Sequence, residues 1–216
     1  RYTDIYKAIN RTGRTDVRYN ICRWQFPGTW ATRLASSWRI HTDINPRFKT
    51  IDQIIEKNLY LSPYVSLGHY NDMDMLEVGR GLSEDEEKTH FGIWAIMSSP
   101  LMIGCDLRTI PEKTLSIITN QEVIALNQDS LGMQAEVIER GKDYLILSKT
   151  IQKREGKLRA VALYNRSNVI KKIRVDFDNL YLSGKVQVRD LWNHQETGTF
   201  TEYYETLVPA HGTALI

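Results

Sequence analysis

The 216-residue sequence has few cysteines and almost no excess of charge of one sign. Its 28 basic and 26 acidic residues leave a formal net charge of +2, and no long basic run occurs, which argues against a nucleic-acid partner. No apolar stretch approaches the roughly 18 residues of a membrane-spanning helix, so we expect no membrane span. With 42% hydrophobic and 25% charged residues, the composition is typical of one large or two modest globular domains.

Cys22 and Cys105 are the two cysteines of the chain. We expect two buried, reduced thiols that act as small apolar fillers rather than a disulfide. Two glycosylation sequons occur, at Asn10 and Asn165, and they matter only in a glycosylating secretory pathway. The first residues do not resemble a signal peptide, so a secreted, periplasmic or lysosome-like location would require a signal in upstream sequence.

The first part of the chain alternates strand-like and helix-like segments. Strands are predicted at 17–24, at 38–44, near 65 and, as a buried strand, at 100–106, and each is followed by a helical pattern. Repeated βα units imply parallel strands with right-handed crossovers. Four units are half of a closed (β/α)8 barrel, although an open doubly wound sheet also uses four or five.

Local signals fix several of these helices. Asn45 and Pro46 predict a helix start, with Asn45 as the cap and Pro46 in the first turn. Four apolar side chains then share one helical face: Phe48, Ile51, Ile54 and Ile55. The segment from Ser83 to Glu86 has the form of a capping box and predicts a helix through Met97.

The composition changes near residues 127–132, which divides the chain into domains at 1–129 and 130–216. The second domain contains short runs of alternating polarity that are typical of an antiparallel, sandwich-like β domain. Residues 141–143 and 155–157 have the character of hairpin connections. Because no polar cluster suggesting chemistry occurs in this domain, we interpret it as a packing or accessory domain.

Two aspartates, Asp72 and Asp74, follow the third predicted strand. Polar residues at the carboxyl ends of parallel strands form the sites of α/β folds, and their shared parity points both side chains to one side of a regular strand. An aspartate-rich turn that caps backbone amides is an equally good interpretation.

The second predicted strand carries Arg39, His41 and Asp43 on one face. In an extended strand Arg39 and Asp43 lie about 13 Å apart, so they cannot pair unless the chain bends after His41. If the strand stays extended, Asp43 lies unpaired at its end and is free to act on a ligand. The alternative is that the three side chains form a buried salt-bridge network. His41 has no second histidine at metal-ligand spacing, so we predict no metal site.

A third cluster, residues 22–24, ends the first strand with an arginine and a tryptophan. An aromatic ring beside charged groups suits a sugar, which has an apolar face and a rim of hydroxyls. The aromatic residues that could supply such a surface are Trp24, Trp30, Trp38 and Tyr70, although most aromatic side chains of a globular protein belong to its core.

Together these motifs resemble those of glycoside hydrolase family 27, the melibiase-type α-galactosidases. The resemblance runs through the stretches NRTGR at 10–14, CRW at 22–24, SWRIHTDI at 37–44, YNDMDMLEVG at 70–79, WAIMSSPLMIGCDLR at 94–108 and IALNQDSLG at 124–132. It covers nearly all of the first domain with matching order and spacing. For the second domain the likeness is one of architecture.

The resemblance implies a (β/α)8 barrel, represented here by its C-terminal half, followed by an antiparallel β domain. It implies retaining hydrolysis of α-galactosides without a cofactor. Asp43 matches the acid/base of the family, and Arg39 matches the arginine that holds the hydroxyl edge of the sugar. The resemblance also implies that Asp74 lines the sugar pocket, with Met75 beside it, and that Asp72 organises the loop. Trp24 and Arg23 fall among the substrate-binding positions.

Two departures from the family pattern change what we expect. The family nucleophile belongs to a Lys-x-Asp motif that this sequence lacks, so we expect an upstream half barrel to supply it and the chain alone to be inactive. Arg23 stands where family members often have glutamate, which leaves α-N-acetylgalactosaminidase or β-L-arabinopyranosidase activity as alternatives. A non-catalytic carbohydrate-binding fragment is the remaining alternative.

Overall fold

A computed structural model describes residues 1–151 and 157–216 of the chain. The first part is built from helices and short parallel strands. In chain order these are α1 (Tyr2–Arg11), β1 (Asn20–Ile21), β2 (Ser37–Arg39), α2 (Phe48–Asn58), β3 (Tyr70–Asp72), α3 (Glu84–Ile96), α4 (Glu112–Ile118) and α5 (Gln121–Asn127), with 3₁₀ turns at Thr29–Arg33 and Ser62–Tyr64.

The three strands form a parallel sheet in the order β1, β2, β3. A single parallel bridge between Leu76 and Ile103 extends this sheet by one more segment. Parallel neighbours joined through helices agree with the predicted βα units.

The strands are shorter than predicted, and the segment 100–106 is not a buried strand. Its pairing is confined to Leu76, whose N–H donates to Met102 O at 2.7 Å and whose carbonyl accepts from Gly104 N at 3.0 Å. Met102 is 63% exposed and Ile103 is also exposed. One bridge at the edge of the described sheet neither forms a ladder nor covers the apolar side chains of the segment.

The helices follow the sequence signals with one exception. Ile51, Ile54 and Ile55 of α2 are fully buried, and Ser83 and Glu86 form the predicted capping box at α3. The predicted start of α2 is wrong, because the helix begins at Phe48 and its N-cap position has no side-chain cap. The Asn45 carboxamide oxygen accepts instead from Thr50 Oγ1 at 2.9 Å.

The second part of the chain is antiparallel. Its strands are β4 (Glu136–Arg140), β5 (Tyr144–Thr150), β6 (Arg159–Asn165), β7 (Lys171–Asp176), β8 (Val186–Asp190), β9 (Gln195–Phe200), β10 (Tyr203–Val208) and β11 (Thr213–Leu215), with a 3₁₀ turn at Phe177–Leu180. Four of them form a sheet in the order β11, β6, β5, β4, and the others pair as β7 with β10 and β8 with β9. The turn at 141–143 joins β4 to β5 as predicted, whereas the predicted hairpin at 155–157 includes residues outside the described ones.

A continuous hydrophobic core joins the two parts. Trp94 and Ile96 of α3 belong to the same buried cluster as Leu145, Leu147 and Leu215 of the β sheet. A second cluster fills the interior of the β part. No described helix is long and apolar enough to cross a membrane.

Candidate active site at the carboxyl ends of the parallel strands

The parallel sheet presents one apolar face and one polar face. Ile21 and Trp38 are fully buried beneath the helices, whereas their chain neighbours Asn20, Ser37 and Arg39 lie on the other face. That face borders a cavity of about 620 Å³. The residues lining the cavity include Asn20, Cys22, Ser37, Arg39, Tyr70, Asp72, Asp74, Met75 and Met102.

Arg39 connects two carboxylates at the end of β2. Its Nη2 lies 3.2 Å from Asp43 Oδ1 and also pairs with Asp74 Oδ2. The Asp43 side chain is 71% exposed beside the cavity, while Asp74 is 9% exposed. One guanidinium therefore holds an exposed carboxylate and a buried one close together, because its fork of N–H donors can serve both.

This pairing contradicts the predicted strand at 38–44. The strand ends at Arg39 and the chain bends at His41 and Thr42, so Arg39, His41 and Asp43 do not share a strand face. The bend brings Asp43 back to Arg39, which an extended chain would hold about 13 Å away. His41 contacts the hydroxyl of Thr42. No cluster of three potential metal ligands occurs among the described residues.

Asp74 sits in a left-handed turn that its own side chain and Asp72 stabilise. Its φ is 77°, an uncommon value for a residue other than glycine. Its N–H donates to Asp72 Oδ1 at 2.8 Å, while its carboxylate accepts from Ile44 N and Met75 N, each at 2.8 Å. Trp94 Nε1 donates to the Asp74 carbonyl at 2.8 Å. Both aspartates line the cavity, although β3 ends at Asp72 and the regular alternation stops there.

Asp72 is a buried carboxyl under opposing electrostatic influences. Burial raises the pKa of Asp72 above its usual value, and hydrogen bonds from Asp74 N and the Asn20 amide oppose that rise. The positive charge of Arg39 also opposes it, whereas the charge of Asp74 adds to it. Asp72 therefore fits both interpretations of the sequence: it caps a backbone amide, as in an aspartate-rich turn, and it faces the cavity, as a site residue would.

The other predicted site residues are distributed more widely. Met75 lines the cavity beside Asp74, and Tyr70 lines it from β3. Trp24 is 58% exposed after β1, with Arg23 exposed before it, and neither lines the cavity. Trp38 is fully buried, which excludes it from the predicted stacking surface.

Two further predictions need correction: that Trp30 belongs to the stacking surface and that both cysteines are buried. Trp30 packs against Tyr2, with ring centroids 5.6 Å apart, so part of its surface serves the fold. Both cysteines are free thiols, as expected, but they are not buried: Cys22 is exposed and borders the cavity, and Cys105 is partly exposed. Cys22 directly follows the end of β1 at Ile21 and borders the cavity instead of a packed core.

Two polar residues of this face, Asn20 and Ser37, were not predicted. Asn20 Nδ2 donates to Ser37 Oγ and to Asp72 Oδ2, each at 2.7 Å. Their parity along β1 and β2 is the signal that could have identified them, because both share a face with site residues.

The sequence of the chain is similar to those of known protein families. Residues 1–129 match the family model described as Alpha galactosidase A, and residues 142–216 match that of the Alpha galactosidase C-terminal beta sandwich domain. Alpha-galactosidase 2 of Arabidopsis thaliana is 35% identical over 98% of the chain and 54% of its own length.

Solved structures agree with this assignment. The crystal structure of alpha-galactosidase I from Mortierella vinacea superposes with a TM-score of 0.94 at 32% identity, over 99% of this chain and 61% of that one. A family 27 β-L-arabinopyranosidase from Geobacillus stearothermophilus superposes with a TM-score of 0.89 at 27% identity, over 99% of this chain and 52% of that one. The chain spans about half the length of the curated relatives that it matches. The predicted fold, the C-terminal part of a (β/α)8 barrel followed by an antiparallel β domain, is confirmed.

Proposed function

The chain belongs to the melibiase family of α-galactosidases, glycoside hydrolase family 27, and on that premise we propose that it contributes the acid/base half of a retaining α-galactosidase site. The observation that carries the proposal is the Arg39 guanidinium joining Asp43 and Asp74 beside a cavity of about 620 Å³. The substrate is a terminal α-linked galactose of an oligosaccharide or glycoconjugate.

Asp43 is the acid/base in this proposal. A retaining glycosidase needs one carboxyl group that protonates the leaving oxygen and later removes a proton from water. The exposure of Asp43 supports this role, since its second carboxylate oxygen is free of the Arg39 contact. Asp74, with both carboxylate oxygens engaged by backbone N–H groups, is suited to binding sugar hydroxyls rather than exchanging protons.

Arg39 and Met75 complete the proposed sugar subsite. Arg39 orients Asp43 and offers its remaining N–H groups to sugar hydroxyls. Met75 borders the cavity as an apolar surface next to Asp74. Trp24 and Arg23 lie on the loop that follows β1, outside the cavity lining, and in this proposal they contact the part of the substrate that extends beyond the cavity.

The second carboxylate of a retaining pair must come from elsewhere. It lies about 5–5.5 Å from the acid/base in such enzymes, and this sequence contains no Lys-x-Asp motif. We propose that a half barrel pairs with the edge of β1 and with the segment at residue 103, closes the sheet and supplies the nucleophile. We call this chain together with that half barrel the completed enzyme. Residues 1–129 belong to its barrel and 130–216 to its β domain.

Substrate choice is tested with chromogenic glycosides. We expect the completed enzyme to hydrolyse p-nitrophenyl α-galactoside with a higher kcat/KM than the α-N-acetylgalactosaminide or the β-L-arabinopyranoside. The structural similarity to a β-L-arabinopyranosidase and the positive charge of Arg23 make these the informative competitors. Faster turnover of either competitor would reassign the sugar, and binding of galactose without hydrolysis of any substrate would support a non-catalytic carbohydrate-binding protein.

A further inference from the structure

A polar residue of β1, Asn20, lines the cavity of the proposed site beside Asp72. The inner positions of barrel strands are usually filled by bulky apolar side chains, yet this position carries an amide. Its Nδ2 group has two hydrogens to donate, and it reaches both Ser37 Oγ and Asp72 Oδ2 at 2.7 Å. One side chain of β1 thus bridges residues of β2 and β3.

A continuous series of contacts leads from Asn20 to the proposed acid/base. Asp72 accepts from Asn20 with one carboxylate oxygen and from the Asp74 N–H, at 2.8 Å, with the other. That second bond stabilises the left-handed turn of Asp74, whose carboxylate pairs with Arg39. Arg39 in turn contacts Asp43.

We propose that Asn20 is a positioning residue for the glycosidase reaction, which acts by fixing the orientation of the Asp72 carboxylate and, through it, the Asp74–Arg39 pair. The inference rests on the function proposed above. Without the amide, the Asp72 carboxylate loses a directional partner and can rotate about its terminal bond. The bond to Asp74 N–H then weakens, and the turn that presents Asp74 to the sugar loses support.

The same contact affects the charge of Asp72. The charged groups facing it are Arg39 from β2 and Asp74 from the following loop, and Arg18 lines the same cavity. Burial favours protonation of Asp72, and the Asn20 amide is one of the groups that oppose it. Loss of a hydrogen bond to a buried charged group corresponds to roughly one pH unit.

The test replaces Asn20 by leucine, which keeps the size of the side chain and removes its donor. Ser37→Ala is the matched control, because it removes the other partner of Asn20 and leaves the contact with Asp72. In the completed enzyme labelled with ¹³C-aspartate, the Asp72 carboxyl signal is assigned by its loss in Asp72→Asn. For Asn20→Leu we expect its titration midpoint to rise by about one pH unit. We also expect the acid limb of the kcat profile to move the same way, with a loss of about tenfold in kcat/KM at neutral pH.

Further variants keep these outcomes interpretable. In an Asp72→Ala background, which removes the acceptor of this contact, Asn20→Leu should cause no additional loss of kcat/KM. If Asn20→Leu does not fold, Asn20→Ser, whose hydroxyl is too short to reach Asp72, carries the same expectations. An unchanged Asp72 midpoint in a folded variant, or additive losses in the double variant, would overturn the role of Asn20. A completed wild-type enzyme that hydrolyses no glycoside would refute the proposed function, while the Asp72 titration would still test the contact.

Discussion

The contact between Arg166 of the β part and helix α2 offers a quantitative prediction. Arg166 donates from Nε and Nη2 to the two oxygens of Asp52, each at 2.8 Å, and from Nη1 to Glu56 at 3.0 Å. The Arg166 and Asp52 side chains are 21% and 23% exposed. Tyr164 also donates to Asp52, at 2.8 Å. Because α2 directly follows the loop that carries Asp43, this clamp ties the β part to the proposed site.

Replacement of Arg166 by methionine removes three charge-assisted hydrogen bonds. Such bonds contribute about 1.5–3 kcal/mol each when well buried, and partial exposure reduces that value. Methionine retains part of the packing of the arginine stem, while Asp52 keeps its bond from Tyr164. We therefore expect a loss of about 2–3 kcal/mol in the free energy of unfolding. With a urea m-value of about 2–3 kcal/mol/M, the unfolding midpoint should fall by about 1 M.

The control is Lys172→Met in the same β part. Lys172 pairs with Glu205 at 2.6 Å, but the two side chains are 62% and 35% exposed. Such surface pairs contribute about 0–1 kcal/mol, so this variant should shift the midpoint by at most a few tenths molar. Equal shifts for the two variants in urea titrations followed by tryptophan fluorescence would refute the reasoning that burial and the forked geometry make the Arg166 clamp strong.

Two further predictions concern other buried groups. Burial lowers the pKa of Lys149 from 10.5 to about 8, so between these pH values the unfolded chain binds more protons than the folded protein. The free energy of unfolding should therefore rise with pH across that window. Lys149→Met should abolish this rise in urea midpoints measured from pH 7.5 to 10. Of the two glycosylation sequons, Asn10 is exposed, whereas Asn165 is fully buried and donates to three carbonyls. When the protein is expressed through a glycosylating secretory pathway, Asn10→Gln should therefore remove all N-linked glycan detected by mass spectrometry. Glycan at Asn165 would contradict the buried geometry.

Elements specified by local signals were predictable from the sequence. The capping box of α3 and the apolar face of α2 involve neighbours within one or two turns, so the sequence contains all the partners. The start of α2 was mispredicted because Thr50 takes the oxygen of Asn45 that would have capped the helix. Strand β9 carries mostly polar residues without an apolar alternation, so its pairing with β8 was not predictable from a local pattern.

The site was predictable in composition but not in geometry. Motifs identified Arg39, Asp43 and Asp74 as candidates. The bend that brings Asp43 to Arg39 lies between two contacts of Asp74, one with Arg39 and one with the N–H of Ile44, and Asp74 lies 35 positions beyond Arg39. Asn20 carried no motif, and its role emerges only from the register that sets β1 against β2. Contacts between distant segments are therefore what local patterns could not supply.

The most direct test of the proposed mechanism is the dependence of Asp43→Asn on the leaving group. An asparagine cannot donate the proton that a poor leaving group requires, and general acid catalysis contributes about 10²–10⁴-fold. In the completed enzyme, kcat/KM for an alkyl or sugar α-galactoside should fall by that factor, whereas kcat/KM for dinitrophenyl α-galactoside should fall by less than about tenfold. Equal losses on both substrates would contradict Asp43 as the acid.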